Sequence, residues 1–458
     1  MPPHLLPEKP IETIAEYLAS GGGAGIAVAR RIGPLRTIDE ITASGLRGRG
    51  GGGFPAGTKW ASVRAAGGRT RYAVGNGAEG EPATFKDRSL MRRDPYRIVE
   101  GLAIAAFAVG AREAFVATKR SYAREATRLQ RAVIELGEEG ILRDLAVTVV
   151  EGPDEYLFGE EKALLEVIEG HEPLPRLLPP YQHGLFATAP AGGWESEAAE
   201  ISGLAESNPT LVNNVETLAA ATYILAKGAA WYRTMGTARS PGTIIATVVG
   251  DVQWPGVHEV DLGTRFNDLL DLCGGPKPGR QYRAAFSGVS NPVLPADQFD
   301  VALTYEDFTA RGTGLGAAGF VVYDDTTDMV SVARELSRFL AVESCGQCPA
   351  CKDGCMAITE RLLAIEEGRG NDSDLGVINA RLRSVTDANR CYLGTEEQNI
   401  VSSILRLFPE DFAAHLERRA RPLRSLLVPL IKDITDDGEV IYDERHAYKL
   451  PDWTFHDA

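Results

Sequence analysis

Three cysteines stand in the pattern C-x2-C-x2-C at Cys345, Cys348 and Cys351, and a fourth, Cys391, follows after 39 intervening residues. The triplet falls in a loop where one predicted helix ends and the next begins, and Cys391 falls between two later helices. From Met329 to Arg419 the apolar period is helical, with pieces at Val330–Val342, Gly354–Glu367, Leu375–Ala388 and Thr395–Phe408, and Pro409 restarts a last helix. Short connections of this kind favour a bundle. Laid side by side, those helices bring Cys391 back to the triplet. Four converging thiolates suit a cubane [4Fe–4S] cluster. The competing metal is structural zinc, which takes paired C-x2-C units and often His. No His lies near the triplet; the next one along the chain is His415. Cys355, one turn after Cys351, could in principle stand in for Cys391, but it reads as a packed helical residue. Cys273 reads as a small buried apolar side chain.

The rest of the chain sets the context for those thiols. Its 458 residues exceed one ordinary domain, and 44% of them are hydrophobic, enough for a sizeable core. With 48 Lys and Arg against 63 Asp and Glu the net charge is −15. A phosphate-neutralising surface is basic, so nucleic acid is excluded as a partner. The prolines of MPPHLLPEKP do not make a secretion signal, and the most apolar stretch, Leu102–Gly110, is too short to span a bilayer. No direct membrane insertion is expected, and a cytoplasmic protein, peripheral at most to a membrane complex, is the expectation. In such a chain clustered cysteines point to metal rather than to disulfides.

Upstream, residues 1–45 read as mainly helical, including Ile11–Leu18 and Thr37–Ala43. The glycine-dense loop Ser44–Trp60, SGLRGRGGGGFPAGTKW, comes next. Strand-like runs at Tyr72–Val74, Ala114–Ala117 and Leu145–Val150 alternate with helical patterns at Arg97–Ala111 and Ala123–Leu136, which predicts a parallel α/β sheet with ligands at its loop ends. Trp194–Glu206 reads as an exposed insertion. Thr243–Val249 and Gly256–Val260 read as a hairpin, followed by the helical Phe266–Leu272 and further strands to about Tyr323.

The glycine loop contains a formal G-x-G-x-x-G at Gly48–Gly53, but a dinucleotide fingerprint should follow a strand, and here a helix precedes it. What remains is a backbone without Cβ atoms that can approach a flat ligand or a phosphate closely. Arg47, Arg49 and Lys59 add positive charge. The alternative is a flexible surface linker. Polar clusters stand at three more loops: Asn76–Pro82, Tyr156–Glu161, and Asn213–Thr217 opening a helix. Any one carboxylate there could simply be solvated; several clusters on the same side of a sheet point to a site.

Taken in order, SGLRGRGGGGFPAGTKW, NGAEGEPATFKDR, YLFGEEKALLE, PTLVNNVETLA, WPGVHEVDLGT and ESCGQCPAC with a late RCYLGT resemble the flavin-bearing, NADH-oxidising subunit of respiratory complex I. The related diaphorase part of NAD-linked hydrogenases and formate dehydrogenases looks the same. The likeness covers about residues 35–420. It implies an α/β architecture: a Rossmann-like FMN and NADH domain with its N-terminal helical segment over 1–240, a ubiquitin-like β-grasp module over 241–325, a four-helix bundle with the [4Fe–4S] site over 326–420, and an extended tail over 421–458. By position, the resemblance puts the FMN cradle on Gly48, Arg49, Gly50, Lys59, Asn76, Gly159, Glu160, Asn213, Asn214 and Thr217. It puts nicotinamide-nucleotide contacts on Phe54, Glu79 and Glu161, and an adenine-stacking ring on Tyr181. The implied cluster ligands are Cys345, Cys348, Cys351 and Cys391. Ala78, Ser62, Leu178 and Lys162 stand where the family usually has Asp, Phe, Lys and Thr.

The chemistry so implied is hydride transfer from NADH to FMN and single-electron transfer to the cluster, with no side-chain nucleophile. Implied partners are a small thioredoxin-like [2Fe–2S] subunit and a larger electron-accepting subunit. Two other readings are open at this point: an electron-transfer protein with FMN and [4Fe–4S] that takes its electrons from a donor other than NADH, and a structural scaffold with a decayed nucleotide site.

Overall fold

Four short aliphatic segments pair in parallel to form the sheet of the N-terminal half: β1 (Tyr72–Asn76), β2 (Glu113–Lys119), β3 (Ala146–Gly152) and β4 (Thr210–Asn214), in the order β3-β2-β1-β4. The computed structural model describes residues 4–189, 205–420 and 426–456. Most of the stretch read as an exposed insertion, residues 194–204, lies outside them. The chain divides into two units, the first comprising Met1–Gly80, Lys86–Ile245 and Glu259–Gly263, the second Glu81–Phe85, Ala246–His258 and Thr264–Ala458.

In the first unit β1 is buried on both faces through Gly75, as expected of a central parallel strand. The chain winds outward from β1 through β2 to β3, then returns to place β4 on the other side of β1. That reversal leaves a crevice outside the carboxyl ends of β1 and β4, the usual ligand position in open α/β sheets. Asn76 and Asn214, the last residues of the two strands, are register partners there.

Helix Pro95–Val109 covers the sheet. Asp94 caps it by accepting from Arg97 N at 3.1 Å, Pro95 opens it, and Gly110 ends it in the left-handed conformation at φ 88°. It packs so tightly on helix Val215–Lys227 that a Cβ on Gly101 would lie 2.0 Å from Leu218 O. The residues before β1 are helical at Ile14–Ala19, Ala24–Ile32 and Pro34–Ser44. A helix, and not a strand, therefore precedes the glycine loop.

A five-stranded sheet follows, of β5 (Thr243–Gly250), β6 (Gly256–Asp261), β7 (Tyr282–Ser287), β8 (Leu294–Pro295) and β9 (Gly319–Asp324), ordered β6-β5-β9-β7-β8, and most of its residues belong to the second unit. β5 and β9 run parallel, whereas β7 runs antiparallel to both β9 and β8. Phe266, opening helix Phe266–Leu272, packs on Phe320 of β9 at 4.7 Å between ring centroids and on Phe299 at 5.0 Å. Cys273 is fully buried, as its sequence context suggested.

Helices Met329–Glu343, Pro349–Glu366, Asp372–Ser384, Leu393–Leu407 and Pro409–Leu416 follow. The second begins five residues earlier than its apolar period suggests, because Pro349 at its first position presets the helical φ. Both Cys351 and Cys355 are thereby helical. The C-terminal segment is more than an extended tail: β10 (Ile431–Ile434) and β11 (Val440–Tyr442) form an antiparallel hairpin, and a 3-10 turn spans Glu444–Tyr448. The Asp436-Asp437-Gly438 turn supplies the left-handed glycine, φ 87°, that closes it. Among the described residues no helix is long and apolar enough to cross a membrane.

Candidate functional site

The glycine loop closes on itself. Gly48 N donates to Phe54 O at 2.8 Å, Ala56 N to Leu46 O at 2.9 Å, and Arg47 Nε to Gly53 O at 2.7 Å. Gly51 and Gly53 take positive φ, 110° and 58°. An ordered turn of this kind is not a flexible linker, so that alternative falls.

From this turn, direct bonds run to the carboxyl ends of the strands. Arg49 N donates to Thr217 Oγ1 at 2.9 Å, and Trp60 Nε1, fully buried, donates to Asn213 Oδ1 at 2.7 Å. A Cβ on Gly50 would come within 3.3 Å of Asn214 Cβ. Asn76 Nδ2 donates to Gly159 O at 2.8 Å and Asn214 Nδ2 reaches Asn76 O at 3.4 Å. At Gly159 an added Cβ would sit 3.0 Å from Ala78 O. Lys59 pairs with Glu161 at 2.7 Å. Gly48, Gly50, Lys59, Asn76, Gly159, Glu161, Asn213, Asn214 and Thr217 thus belong to one bonded or touching network around the β1/β4 crevice. A crevice floored by amides and edged by glycines, two of which, Gly50 and Gly159, leave little room for a Cβ, fits a flat, phosphorylated ring system such as FMN.

Glu160 caps helix Glu161–Ile168, accepting from Lys162 N at 2.9 Å and Ala163 N at 3.0 Å. Burial pushes its carboxyl up to about 7, against the lowering pull of Lys162 and of the two N–H groups. Phe54 and Tyr181 are exposed rings, 55% and 48% accessible, available for stacking.

Two expected ligands are turned elsewhere. The Arg49 guanidinium is buried, donating to Thr243 O at 2.9 Å and to Tyr232 OH at 3.1 Å, with Glu216 3.8 Å away. It clamps the loop to the protein and does not add charge to the crevice. The Glu79 carboxylate is also buried, accepting from Arg88 Nε at 3.0 Å and Asp87 N at 3.1 Å.

Sequence reasoning missed what lies beneath Asn214. Buried Lys86 pairs with Asp87 at 2.7 Å and Glu216 at 2.8 Å and donates to Asn214 Oδ1 at 3.2 Å, while Asn214 Nδ2 donates to Asp87 Oδ2 at 2.8 Å. Burial raises Asp87 despite the Lys86 ammonium, and the carboxylates raise Lys86 despite its burial. Buried charges persist only when paired and hydrogen-bonded. Here two cations, Lys86 and Arg49, meet two carboxylates. No local pattern separates such residues from a solvated Lys-Asp-Arg run.

In the second unit Cys345 leaves helix Met329–Glu343 by two residues, Cys348 is the N-cap of helix Pro349–Glu366, and Cys351 lies in its first turn. Arg390 N lies 3.4 Å from Cys348 Sγ, which brings the residue before Cys391 to the triplet. Ser344 Oγ contacts Cys351 Sγ at 3.4 Å. A hydrogen bond from Cys355 pulls the Cys351 thiol down, to about 7, with help from Ser344 and Lys352 and against burial; burial raises Cys345. The positive end of the helix favours thiolates at its first turn. Four thiols on two adjoining segments are the donor set a [4Fe–4S] cluster requires. Cys355 is fully buried behind Cys351. His415 is occupied elsewhere, with Nε2 2.6 Å from Asp328 Oδ2.

Compared with known proteins, residues 41–223 match the Nuo51 FMN-binding domain, residues 245–290 the SLBB domain, and residues 331–415 the NADH-ubiquinone oxidoreductase-F iron-sulfur binding region. The last match removes zinc as the alternative. The chain is 37% identical over 422 residues to NADH-quinone oxidoreductase F-subunit 2 of Rhizobium meliloti (strain 1021), covering 89% of this chain and 96% of that one. It is 33% identical over 421 residues to NADP-reducing hydrogenase subunit HndC of Solidesulfovibrio fructosivorans, covering 90% and 82%. A chain of NAD+-reducing [NiFe]-hydrogenase in the H2-reduced state superposes with a TM-score of 0.77 at 30% identity, over 89% of this chain and 67% of that one.

Proposed function

The chain belongs to the family of NADH-quinone oxidoreductase F-subunits, and we propose on that premise that it is the electron-input component of a multisubunit oxidoreductase. It oxidises NADH at FMN and passes the electrons singly to a [4Fe–4S] cluster. Bound FMN and cluster supply the redox chemistry, hydride acceptance and one-electron transfer; the protein binds, orients and balances charge. The observation that carries this reading is the network joining the glycine loop to Asn76, Gly159, Asn213 and Asn214 at the strand-order reversal, in a chain that also holds the four-thiol set.

Gly48, Gly50, the main chain of Arg49, Lys59, Asn76, Gly159, Glu160, Asn213, Asn214 and Thr217 hold FMN. Phe54 and Glu161 meet the nicotinamide nucleotide and Tyr181 stacks on adenine. Lys59 and Glu161 exchange their mutual ion pair for ligand contacts, and Glu79 reaches the nucleotide by exchanging Arg88. Cys345, Cys348, Cys351 and Cys391 hold the cluster.

The segment boundaries belong to the same proposal: a Rossmann-like domain over 1–240, a β-grasp module over 241–325, a four-helix bundle over 326–420 and a tail from 421. The strand order β6-β5-β9-β7-β8, with a parallel central pair and one helix after the first hairpin, supports the β-grasp reading. The partners are a small thioredoxin-like [2Fe–2S] subunit and a larger acceptor subunit. A cytoplasmic place at the periphery of a larger complex fits six free cysteines. Anaerobic addition of NADH to the purified holoprotein is expected to bleach the flavin absorbance and then produce the EPR signal of a reduced cluster. An unchanged flavin spectrum in excess NADH refutes the reading.

A further inference from the structure

The C-terminal segment is tied to the helix that delivers the first cluster cysteine. Arg338 donates to His446 O at 3.0 Å, Ala447 O at 2.7 Å and Lys449 O at 3.1 Å. Trp453 Nε1 donates to Val342 O at 3.0 Å. Buried Glu343 accepts from Lys449 Nζ at 2.8 Å, with His446 Nε2 2.9 Å from the same oxygen. One more tie runs through Lys352, the residue after Cys351. Its Nζ donates to Ala341 O at 3.0 Å, Ser344 O at 2.7 Å and, from the tail, Pro451 O at 2.6 Å.

Three carbonyls around one nitrogen define its charge. An ammonium has three donors and no acceptor, so each carbonyl takes one N–H. A neutral amine would turn its lone pair against one of them. The clamp therefore selects the cation and fixes it in place. Ser344, whose carbonyl it holds, also touches Cys351 Sγ through its hydroxyl at 3.4 Å. Burial lowers the pKa of this ammonium from the ordinary lysine value, against the opposing pull of Cys355, Cys345 and Cys351, and it is the three carbonyls that hold the cation.

We propose that Lys352, held by Ala341, Ser344 and the tail carbonyl of Pro451, is a positioning residue that raises the reduction potential of the cluster borne by Cys345, Cys348, Cys351 and Cys391. Net charge, hydrogen bonding and solvent exposure set such potentials. Each electron that arrives adds one negative charge to the cluster, and a fixed cation nearby stabilises the reduced form more than the oxidised one. The tail contributes by holding that cation in place. A lysine serving only as a mechanical tie would leave the potential where it was.

The inference rests on the cluster assignment, and the two fail separately. Iron and acid-labile sulfide analysis of the wild-type holoprotein tests the assignment. The inference is tested by EPR-monitored redox titration of the full-length holoprotein, of Lys352→Gln and Lys352→Arg, and of a chain ending at Tyr448. The expected result is a midpoint shifted to lower potential in Lys352→Gln, a midpoint close to wild type in Lys352→Arg, and an intermediate shift in the truncated chain. A Lys352→Gln protein with full cluster content and a wild-type midpoint overturns the proposal, as do equal shifts in the Gln and Arg variants. If Lys352→Gln does not retain its cluster, the truncated chain decides: a lowered midpoint supports the proposal, and an unchanged midpoint or loss of that cluster too makes the lysine a structural tie and overturns it.

Discussion

Replacing Gly101 by Ala tests whether the crossing of helices Pro95–Val109 and Val215–Lys227 controls the crevice. On an exposed helical face Gly→Ala stabilises by about 1 kcal/mol, because alanine loses less backbone entropy on folding. At Gly101 the new methyl would lie 2.0 Å from Leu218 O, 2.4 Å from Leu218 C and 3.1 Å from Leu218 Cα. All three are main-chain atoms, so no side chain can swing aside and the helices must separate. Overpacking of this kind costs about 1–3 kcal/mol, and an immovable obstacle puts it at the upper end. Set against the propensity gain, a net loss of about 2 kcal/mol remains. For a unit of this size that is a fall of about 4–8 °C in Tm. Helix Val215–Lys227 starts one residue after Asn214 and carries Thr217, so FMN affinity should fall as well. Gly137→Ala is the internal control: it lies in helix Ala123–Glu138 with no atom within 4 Å of the added Cβ, and it should match or slightly exceed wild type. Flavin-release fluorescence during thermal unfolding reads both variants. A Gly101→Ala protein that unfolds with, or above, Gly137→Ala and keeps its flavin refutes the reasoning.

Trp60→Phe leaves Asn213 Oδ1 without its buried donor, a loss of about 1–3 kcal/mol; fluorescence titration of apoprotein should show FMN binding weakened at least several-fold. Cys391→Ser removes one of the four thiols, so iron analysis should show a depleted or absent cluster while the flavin spectrum persists. Glu160 gives a pH signature. Its folded value, raised to about 7 from 4.5, means that the native state keeps a proton the unfolded chain has lost. The stability this group contributes is full below about pH 4.5 and is lost as pH rises through about 7, at most about 1.4 kcal/mol per unit. Glu160→Gln should flatten the fall of Tm across that window, as scanning calorimetry would measure; an unchanged profile counts against the assignment.

How much of this could be read in the chain varied with how local the determinant was. The parallel strands and the helix before the glycine loop follow from apolar periodicity, and the cysteine pattern carries its own chemistry. β4 escaped, because Thr-Leu-Val is too short an apolar run to stand out before the Asn pair; its place beside β1 is decided by pairing, not by propensity. Arg49 and Glu79 lie in motifs that look open to a ligand, yet their charged ends are fixed by Thr243, Tyr232 and Arg88, partners distant in sequence or on the next helix. Lys86, Asp87 and Glu216 carry no local mark of burial, and only the fold assembles them under Asn214. The tail hairpin was signalled by Asp436-Asp437-Gly438, a turn hidden in an acidic stretch.

The two units interleave along the chain. Glu81–Phe85 belongs to the second unit although residues of the first flank it, and Glu259–Gly263 returns to the first after the second has begun. On the ribosome, the N-terminal unit cannot complete its contacts until the segment ending at Gly263 has emerged. No single cut in the gene separates the two, so an expression fragment that stops at Pro241 would lack part of its own unit. Loss or exchange of one unit during evolution would meet the same obstacle, which favours inheritance of the pair as one piece.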